Sequence, residues 1–205
     1  MHQEALTSES RKVFEHLRPR GFILGGGTGL ALQLGHRVSE DFDYFSEKVI
    51  PRSLAGRLEK DIAGLGLRAR LTVNNKDELT ILAGEIKFTF LYYPFPTLLP
   101  TVTLGSASAF SVREAAAMKA YTLGRRGTMK DYVDLYFILK SGDTLDSIAD
   151  LARKKFGEGF DTRLFLEQLV YLDDVEEAPI RFLRDTVTKK DLQTFFEEQV
   201  RNFPV

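Results

Sequence analysis

The fold of this chain is decided by residues 24–46, which read LGGGTGLALQLGHRVSEDFDYFS. The apolar run Gly21–Leu24 predicts a short buried strand, and three glycines then interrupt it. Residues 29–34 have helical character and end near Gly35, after which Asp41–Phe45 alternates polar and aromatic side chains with the period of a strand. The order strand, glycine turn, helix and strand predicts a mixed α/β unit.

The glycine turn and the two aspartates together predict a metal and phosphate site. Glycines let the backbone approach a ligand closely, and a helix N-terminus just after them offers N–H groups that suit phosphate. Asp41 and Asp43 are two residues apart, so a strand places both carboxylates on one face and Phe42 on the other. Like charges this close need a cation, and Mg²⁺ prefers carboxylate and phosphate oxygens. Either feature alone is also common in a plain turn or on an exposed strand.

Other phosphate-binding motifs do not match this stretch. The sequence holds no Gly-Lys-Ser/Thr, so a Walker A loop is excluded. The dinucleotide pattern G-x-G-x-x-G would require glycine at Leu30 or at Leu32.

Outward from this stretch, the chain divides into a mixed α/β core over 1–105 and a helical lobe over 106–205. Apolar periodicity predicts helices at 5–18, 51–65, 111–123, 130–140, 144–156, 162–172 and 188–201, and strands at 67–74, 78–83 and 85–93. Ser111 and Glu114 have the spacing of a capping box at the start of the helical lobe. Two such lobes predict a cleft between them.

The amino-acid composition limits the partners, the metal and the cellular location that fit this protein. The 205 residues carry 28 basic and 29 acidic side chains, so any nucleic-acid contact must come from a local patch. With no cysteine and three histidines, a disulfide framework is excluded and a zinc site is disfavoured. The N-terminus lacks the apolar run of a signal peptide and no stretch approaches a membrane span, which predicts a cytoplasmic protein.

The long stretch resembles the AbiEii/AbiGii toxins, a group of polymerase-beta-type nucleotidyltransferases. That group shows Gly-Gly-Thr-x-Leu-x-Leu, Gly-His-Arg and Ser-x-Asp-x-Asp-x-Phe, and this chain matches at Gly26, Gly27, Thr28, Leu30, Leu32, Gly35, His36, Arg37, Ser39, Asp41, Asp43 and Phe45. The resemblance implies an α+β fold with a polymerase-beta-type core, a mixed sheet flanked by helices, followed by a helical C-terminal lobe. It also implies that Gly26, Gly27 and Thr28 bind phosphate and that Asp41 and Asp43 hold the metal.

A second stretch, Lys119 to Leu139, resembles the same group through a lysine, an arginine and Lys-Asp-x-x-Asp-Leu. The resemblance implies that Lys119 neutralises phosphate charge and that Asp131 activates the acceptor or completes the acid set. Arg125 is implied as a phosphate ligand. Alternatively, Arg125 belongs to a solvated turn, Asp131 caps the helix and Asp134 holds an arginine.

Two positions leave alternatives open. The third carboxylate usual in such enzymes is expected near Thr89, which is not an acid, and Glu85 is about 13 Å away along an extended strand. Arg37 is expected to contact phosphate or the aspartate pair, or else the carbonyls that end the helix before it.

His36 is more often a packed histidine than a ligand. The pairs Lys154-Lys155 and Lys189-Lys190 are interpreted as solvated faces.

The leading hypothesis is a nucleotidyltransferase toxin that uses Mg²⁺ (or Mn²⁺) to transfer a nucleotide from an NTP to tRNA, another RNA or a protein. A cognate antitoxin encoded nearby is the expected partner. The missing acid motivates a first alternative, an NTP-binding protein without turnover. A second alternative is an aminoglycoside-type adenylyltransferase, because one fold serves both kinds of acceptor.

Overall fold

One mixed sheet organises the N-terminal half in a computed structural model that describes residues 1–17 and 19–204. Its strand order is β3-β4-β5-β2-β1-β7-β6. The strands β2 and β5 run parallel, as do β1 and β7, and the other neighbours are antiparallel. The strands are β1 (Ile23–Leu24), β2 (Phe42–Ser46), β3 (Ala69–Asn74), β4 (Glu78–Ala83), β5 (Ile86–Tyr92), β6 (Val102–Leu104) and β7 (Ala107–Ala109).

Several helices begin after residues whose side chains cap them. Thr7, Ser111, Thr144 and Asp161 each accept from a backbone N–H three residues on, and Thr188 forms a reciprocal capping box with Asp191. The helices are α1 (Ser8–His16), α2 (Gly26–Leu34), α3 (Leu54–Gly64), α4 (Val112–Arg126), α5 (Met129–Lys140), α6 (Leu145–Phe156), α7 (Thr162–Val170) and α8 (Lys189–Arg201), with 3₁₀ turns at Gln3–Ala5 and Gly157–Gly159. In the described part of the chain, no helix has the length and apolar character needed to cross a membrane.

Helix α2 joins the two hydrophobic cores. Phe42 and Tyr44 of β2 are buried under α1 and α3 in the core of the sheet, which also contains Leu32. Leu30 packs instead into the core formed by α4 to α8. Because the two leucines face opposite cores, the glycine start of α2 is held at the junction of the sheet and the helical lobe.

The predicted α+β architecture is confirmed, whereas several element boundaries were wrong. Helix α2 begins at Gly26, so two of the three turn glycines lie in its first turn. The predicted helix 5–18 begins at Ser8, and its expected end, Arg18, lies outside the described residues, as does Val205. Helix α4 continues through Gly124 to Arg126. The hairpin of β6 and β7 was not predicted, because each strand has only three residues. The predicted boundary between the α/β core and the helical lobe, at residue 105, falls in the turn of this hairpin.

A buried ion pair ties the helical lobe to the loop after β5. Glu114 does not complete the predicted capping box, because its carboxylate accepts from the backbone N–H of Leu98 at 3.2 Å and of Leu99 at 3.0 Å. Lys155 donates to Glu114 at 2.6 Å and to the carbonyl of Pro96 at 2.6 Å. The prediction of a solvated Lys155 was therefore wrong, since its ammonium finds a carboxylate inside the lobe.

Candidate active site

The start of α2 lies directly against the second aspartate of β2. The backbone N–H of Gly25 donates to the Asp43 carbonyl at 2.8 Å. Gly26 has φ +58°, and a Cβ there would collide with the Asp43 carboxylate. A Cβ on Gly27 would collide with the guanidinium of Arg37. The two glycines allow this approach, and it brings the N–H groups of the first helical turn, which have no partner within the helix, next to the carboxylate.

Asp43 of β2 and Asp41, which immediately precedes this strand, lie on the face away from the core of the sheet. Phe42 and Tyr44 are buried, and the Asp41 side chain is 52% exposed. The Thr28 hydroxyl is buried, donates to the Asp41 carbonyl and lies 2.8 Å from the Ser39 hydroxyl. Thr28 therefore fixes the backbone of Asp41, and its hydroxyl is engaged within the protein. The phosphate contact by the main-chain N–H groups of α2 stays a prediction.

Strand β5 runs parallel to β2, with Thr89 beside Asp43 in register. The position expected for the third acid therefore carries a hydroxyl. Lys87, two residues earlier on β5, places its ammonium 3.1 Å from Asp41 Oδ2. The side of the aspartate pair toward β5 thus carries a cation.

Asp134 of α5 is a fully buried carboxylate that three side chains surround. Arg37 donates to both of its oxygens, from Nε at 2.7 Å and from Nη2 at 3.0 Å, and His36 Nε2 lies 2.8 Å from Oδ1. Burial opposes ionisation, but Arg37, Lys119 and His36 hold the pKa of Asp134 well below its usual value. Arg37 therefore pairs with Asp134 rather than with the aspartate pair or with helical carbonyls.

Lys119 of α4 bridges two carboxylates of α5. Its Nζ lies 2.6 Å from Asp131 Oδ1 and 2.7 Å from Asp134 Oδ2. Burial alone would lower the pKa of Lys119, but Asp134 and Asp131 raise it above its usual value. The ammonium is therefore charged and fixed in position on the wall of the cleft.

Both oxygens of Asp131 already have partners. Oδ1 accepts from Lys119, and Oδ2 accepts from the backbone N–H of Thr128 at 2.9 Å and from its hydroxyl at 2.8 Å. Asp131 is thus the reciprocal cap of α5, which agrees with the capping alternative. Arg125 places its guanidinium 3.6 Å from the Tyr121 ring centroid and donates to the carbonyls of Tyr121 and Gly159, at the edge of the cleft.

Two cavities meet at these residues. The first has a volume of about 430 Å³, and its walls include the aromatic side chains of Phe45, Tyr93 and Tyr121. The second has a volume of about 310 Å³ and a polar wall that includes Asp41, Lys130 and Arg181. Both cavities are lined by Gly27, Asp43, Lys119 and Asp131.

The residues fit one divalent cation completed by a ligand. Asp43 offers hard carboxylate oxygens to both cavities, and Asp41 offers its own to the polar one. Within residues 1–17 and 19–204, no cluster of three or more acidic, histidine or cysteine side chains is placed to hold a metal. A Mg²⁺ ion here would therefore take the rest of its shell from water and, when an NTP is bound, from phosphate oxygens.

Sequence reasoning had missed the roles of two residues at this site. Neither Lys87 nor Arg181 was singled out. Arg181 reaches the site because Val38 donates to its carbonyl at 2.8 Å and Arg37 forms a bridge with Phe182. Asp134 was expected to hold an arginine, which it does, and Lys130, four residues before it on α5, is exposed and lines the polar cavity.

Comparison with known proteins was consistent with this geometry. A family described as "Nucleotidyl transferase AbiEii toxin, Type IV TA system" matches residues 14–205. An uncharacterized protein of Aquifex aeolicus, aq_aa25, is 30% identical over 205 residues, covering 97% of each chain.

Solved structures show the same fold. A putative nucleotidyltransferase from H. pylori aligns with a TM-score of 0.59 at 17% identity, covering 98% of this chain and 95% of its own. The nucleotidyltransferase toxin MenT4 (Rv2826c) of Mycobacterium tuberculosis aligns at 0.57 and 18% identity, covering 89% and 76%. The antibiotic-resistance factor ANT(2'')-Ia aligns at 0.52 and 15% identity, covering 72% and 97%.

Proposed function

Because the chain belongs to the AbiEii nucleotidyltransferase toxin family, we propose that it transfers a nucleotide from an NTP to a hydroxyl group with the help of Mg²⁺ or Mn²⁺. One observation carries the proposal. The carboxylate of Asp43, the glycine start of α2 and the ammonium of Lys119 line both cavities, and the carboxylate of Asp41 lines the polar one. A site where two cavities meet suits a reaction between two substrates.

Each group of residues at this site has a separate role in the proposed reaction. The N–H groups at Gly26 and Gly27 cradle phosphate oxygens, aided by the positive end of the α2 dipole. Lys119 offsets the negative charge that develops as pyrophosphate leaves. A divalent cation on Asp41 and Asp43, when bound, supplies Lewis-acid stabilisation of the transferred phosphoryl group. Asp131 orients Lys119, because its two oxygens are already occupied.

The acceptor is best accommodated by the polar cavity. The acceptor oxygen forms a bond to the α-phosphorus, the bond to the bridging oxygen of the leaving pyrophosphate breaks, and the acceptor proton passes to water. In-line displacement requires the acceptor and the leaving group on opposite sides of that phosphorus. Lys130 and Arg181 suit the phosphates of an RNA chain, which favours tRNA or another RNA over a protein acceptor.

The proposed biological role follows the family. We place the protein in the cytoplasm as the toxin of a pair, with a cognate antitoxin as its partner. The family description names a type IV toxin–antitoxin system. Co-expression that relieves growth arrest without forming a stable complex would fit that role, and arrest that persists with every neighbouring gene product would contradict it.

A transfer assay tests the reaction itself. The purified chain, Mg²⁺ and each of four α-³²P-labelled NTPs are incubated with tRNA, total RNA, the protein alone or a panel of aminoglycosides. Label is expected on RNA and is expected to disappear in Asp43→Asn. Asp61→Asn, the same change on the exposed side of α3, is the matched control and should transfer normally. Label on an aminoglycoside alone would instead identify a small-molecule adenylyltransferase.

A second candidate function is NTP binding without turnover. The hydroxyl of Thr89 beside Asp43 favours it, because the usual third carboxylate is missing there. Calorimetry that finds tight NTP binding, lost in Asp43→Ala, together with no labelled product on any acceptor would support this candidate. Product on RNA would exclude it.

A further inference from the structure

The position of Lys87 determines how much positive charge the aspartate pair can accept. In the parallel register Phe42 pairs with Phe88 and Asp43 with Thr89. Lys87 lies two residues before Thr89 on β5, so it shares a sheet face with Thr89 and lies beside Asp41. Its Nζ lies 3.1 Å from Asp41 Oδ2, with 44% of the Lys87 side chain and 52% of the Asp41 side chain exposed.

The charges explain the consequence. Two divalent cations at one site bring four positive charges, and they need several carboxylates besides the substrate phosphates. Here two carboxylates face one ammonium, and a hydroxyl stands beside Asp43. We propose, on the basis of the proposed function, that Lys87 takes the place of a second divalent cation and that the aspartate pair binds a single one.

The location of Lys87 gives it a task in the reaction. Asp41 lines the polar cavity but not the aromatic one, and Lys87 lines neither. Lys87 therefore acts on the proposed reaction through the charge that it places on Asp41, not by contact with the acceptor. Exposed ion pairs contribute little to the stability of the fold. The main effect of the Lys87–Asp41 pair is therefore on the cation that binds to Asp41.

Counting bound Mn²⁺ by electron paramagnetic resonance tests the inference on the full chain without nucleotide. The wild-type protein is expected to bind one Mn²⁺ per chain. An ammonium about 5 Å from a doubly charged ion weakens its binding about tenfold in water, so Lys87→Met should tighten that site about tenfold. The double variant Lys87→Met/Thr89→Asp supplies a third acid in place of the cation and should bind two Mn²⁺. Lys76→Met, which removes an exposed lysine from the turn after β3, should leave both the count and the affinity unchanged.

Several outcomes would overturn the inference. Two Mn²⁺ on the wild-type chain, an unchanged affinity in Lys87→Met, or no bound Mn²⁺ in any variant would each do so. Failure of the proposed function is seen separately, because the count does not depend on turnover. A chain that transfers no label but shows the expected Mn²⁺ counts would refute the transferase proposal and leave the role of Lys87 in place.

Discussion

Asp134 should be the most stabilising carboxylate of the site, and Asp134→Asn tests this. The substitution keeps the shape of the side chain and one acceptor oxygen but leaves the Arg37 guanidinium without its carboxylate partner, whereas Lys119 keeps Asp131. Breaking a buried ion pair from one side costs about 3–5 kcal/mol, and with one cation left unpaired we expect about 3 kcal/mol. For a chain of this length that lowers the Tm by about 6–12 °C.

Urea denaturation followed by circular dichroism measures the free energy of unfolding, and Asp61→Asn is the control. A change on the exposed side of α3 should alter stability by less than about 0.5 kcal/mol. Adding Arg37→Met to Asp134→Asn should recover part of the loss, because the unpaired buried cation is removed. A loss below about 1 kcal/mol in Asp134→Asn would refute the reasoning.

The pH dependence checks the same carboxylate independently. The folded protein holds the pKa of Asp134 well below its usual value, and the unfolded chain titrates at about 3.9. The stabilisation is therefore fully present above the unfolded pKa and is lost as the pH falls through the folded pKa. The gap between wild type and Asp134→Asn should stay constant from about pH 8 to 5 and close below about pH 4. A gap that widens on acidification would contradict the assignment.

Three further predictions follow from the same contacts. Lys155→Met leaves the Glu114 carboxylate buried without its cation, so urea denaturation should show a loss of about 3–5 kcal/mol, and adding Glu114→Gln should restore part of it. Gly26→Ala adds about 1–2 kcal/mol of backbone strain at φ +58° and pushes against Asp43, so calorimetry should show a loss of NTP affinity, and unchanged affinity would contradict the assigned approach. Lys119→Met removes the fixed charge on the cleft wall, so the initial rate of label transfer should fall about 10²–10³-fold, whereas a rate within a few-fold of wild type would exclude Lys119 from the reaction.

The sequence was sufficient to predict features that depend on short-range periodicity. Asp41 and Asp43 lie on one face because a strand alternates with period two, and the order of strand, glycines and helix fixed their neighbourhood. The burial of Lys155 next to the exposed Lys154 could not be predicted, because adjacent helical residues point about 100° apart and the partner, Glu114, is 41 residues away in sequence.

Long-range pairing also decided which acid of α5 holds Arg37. Asp131 and Asp134 are three residues apart, so both can face the same side of a helix. Their difference depends on Arg37, which is 97 residues from Asp134 along the chain. The strand register that brings Lys87 to Asp41 is of the same kind, because β2 and β5 are parallel and separated by a helix and two strands.

The geometry narrows the ways in which the acceptor can lose its proton. A general base needs an oxygen that is free to accept, and Asp131 uses one oxygen for Lys119 and the other for Thr128. Moving Asp131 onto the acceptor would break the cap of α5 and its ion pair with Lys119. Asp41 lines the polar cavity, but it pairs with Lys87 and is proposed to hold the cation. We therefore expect the acceptor proton to pass to water, with Asp131 acting on the proposed reaction through the position of Lys119.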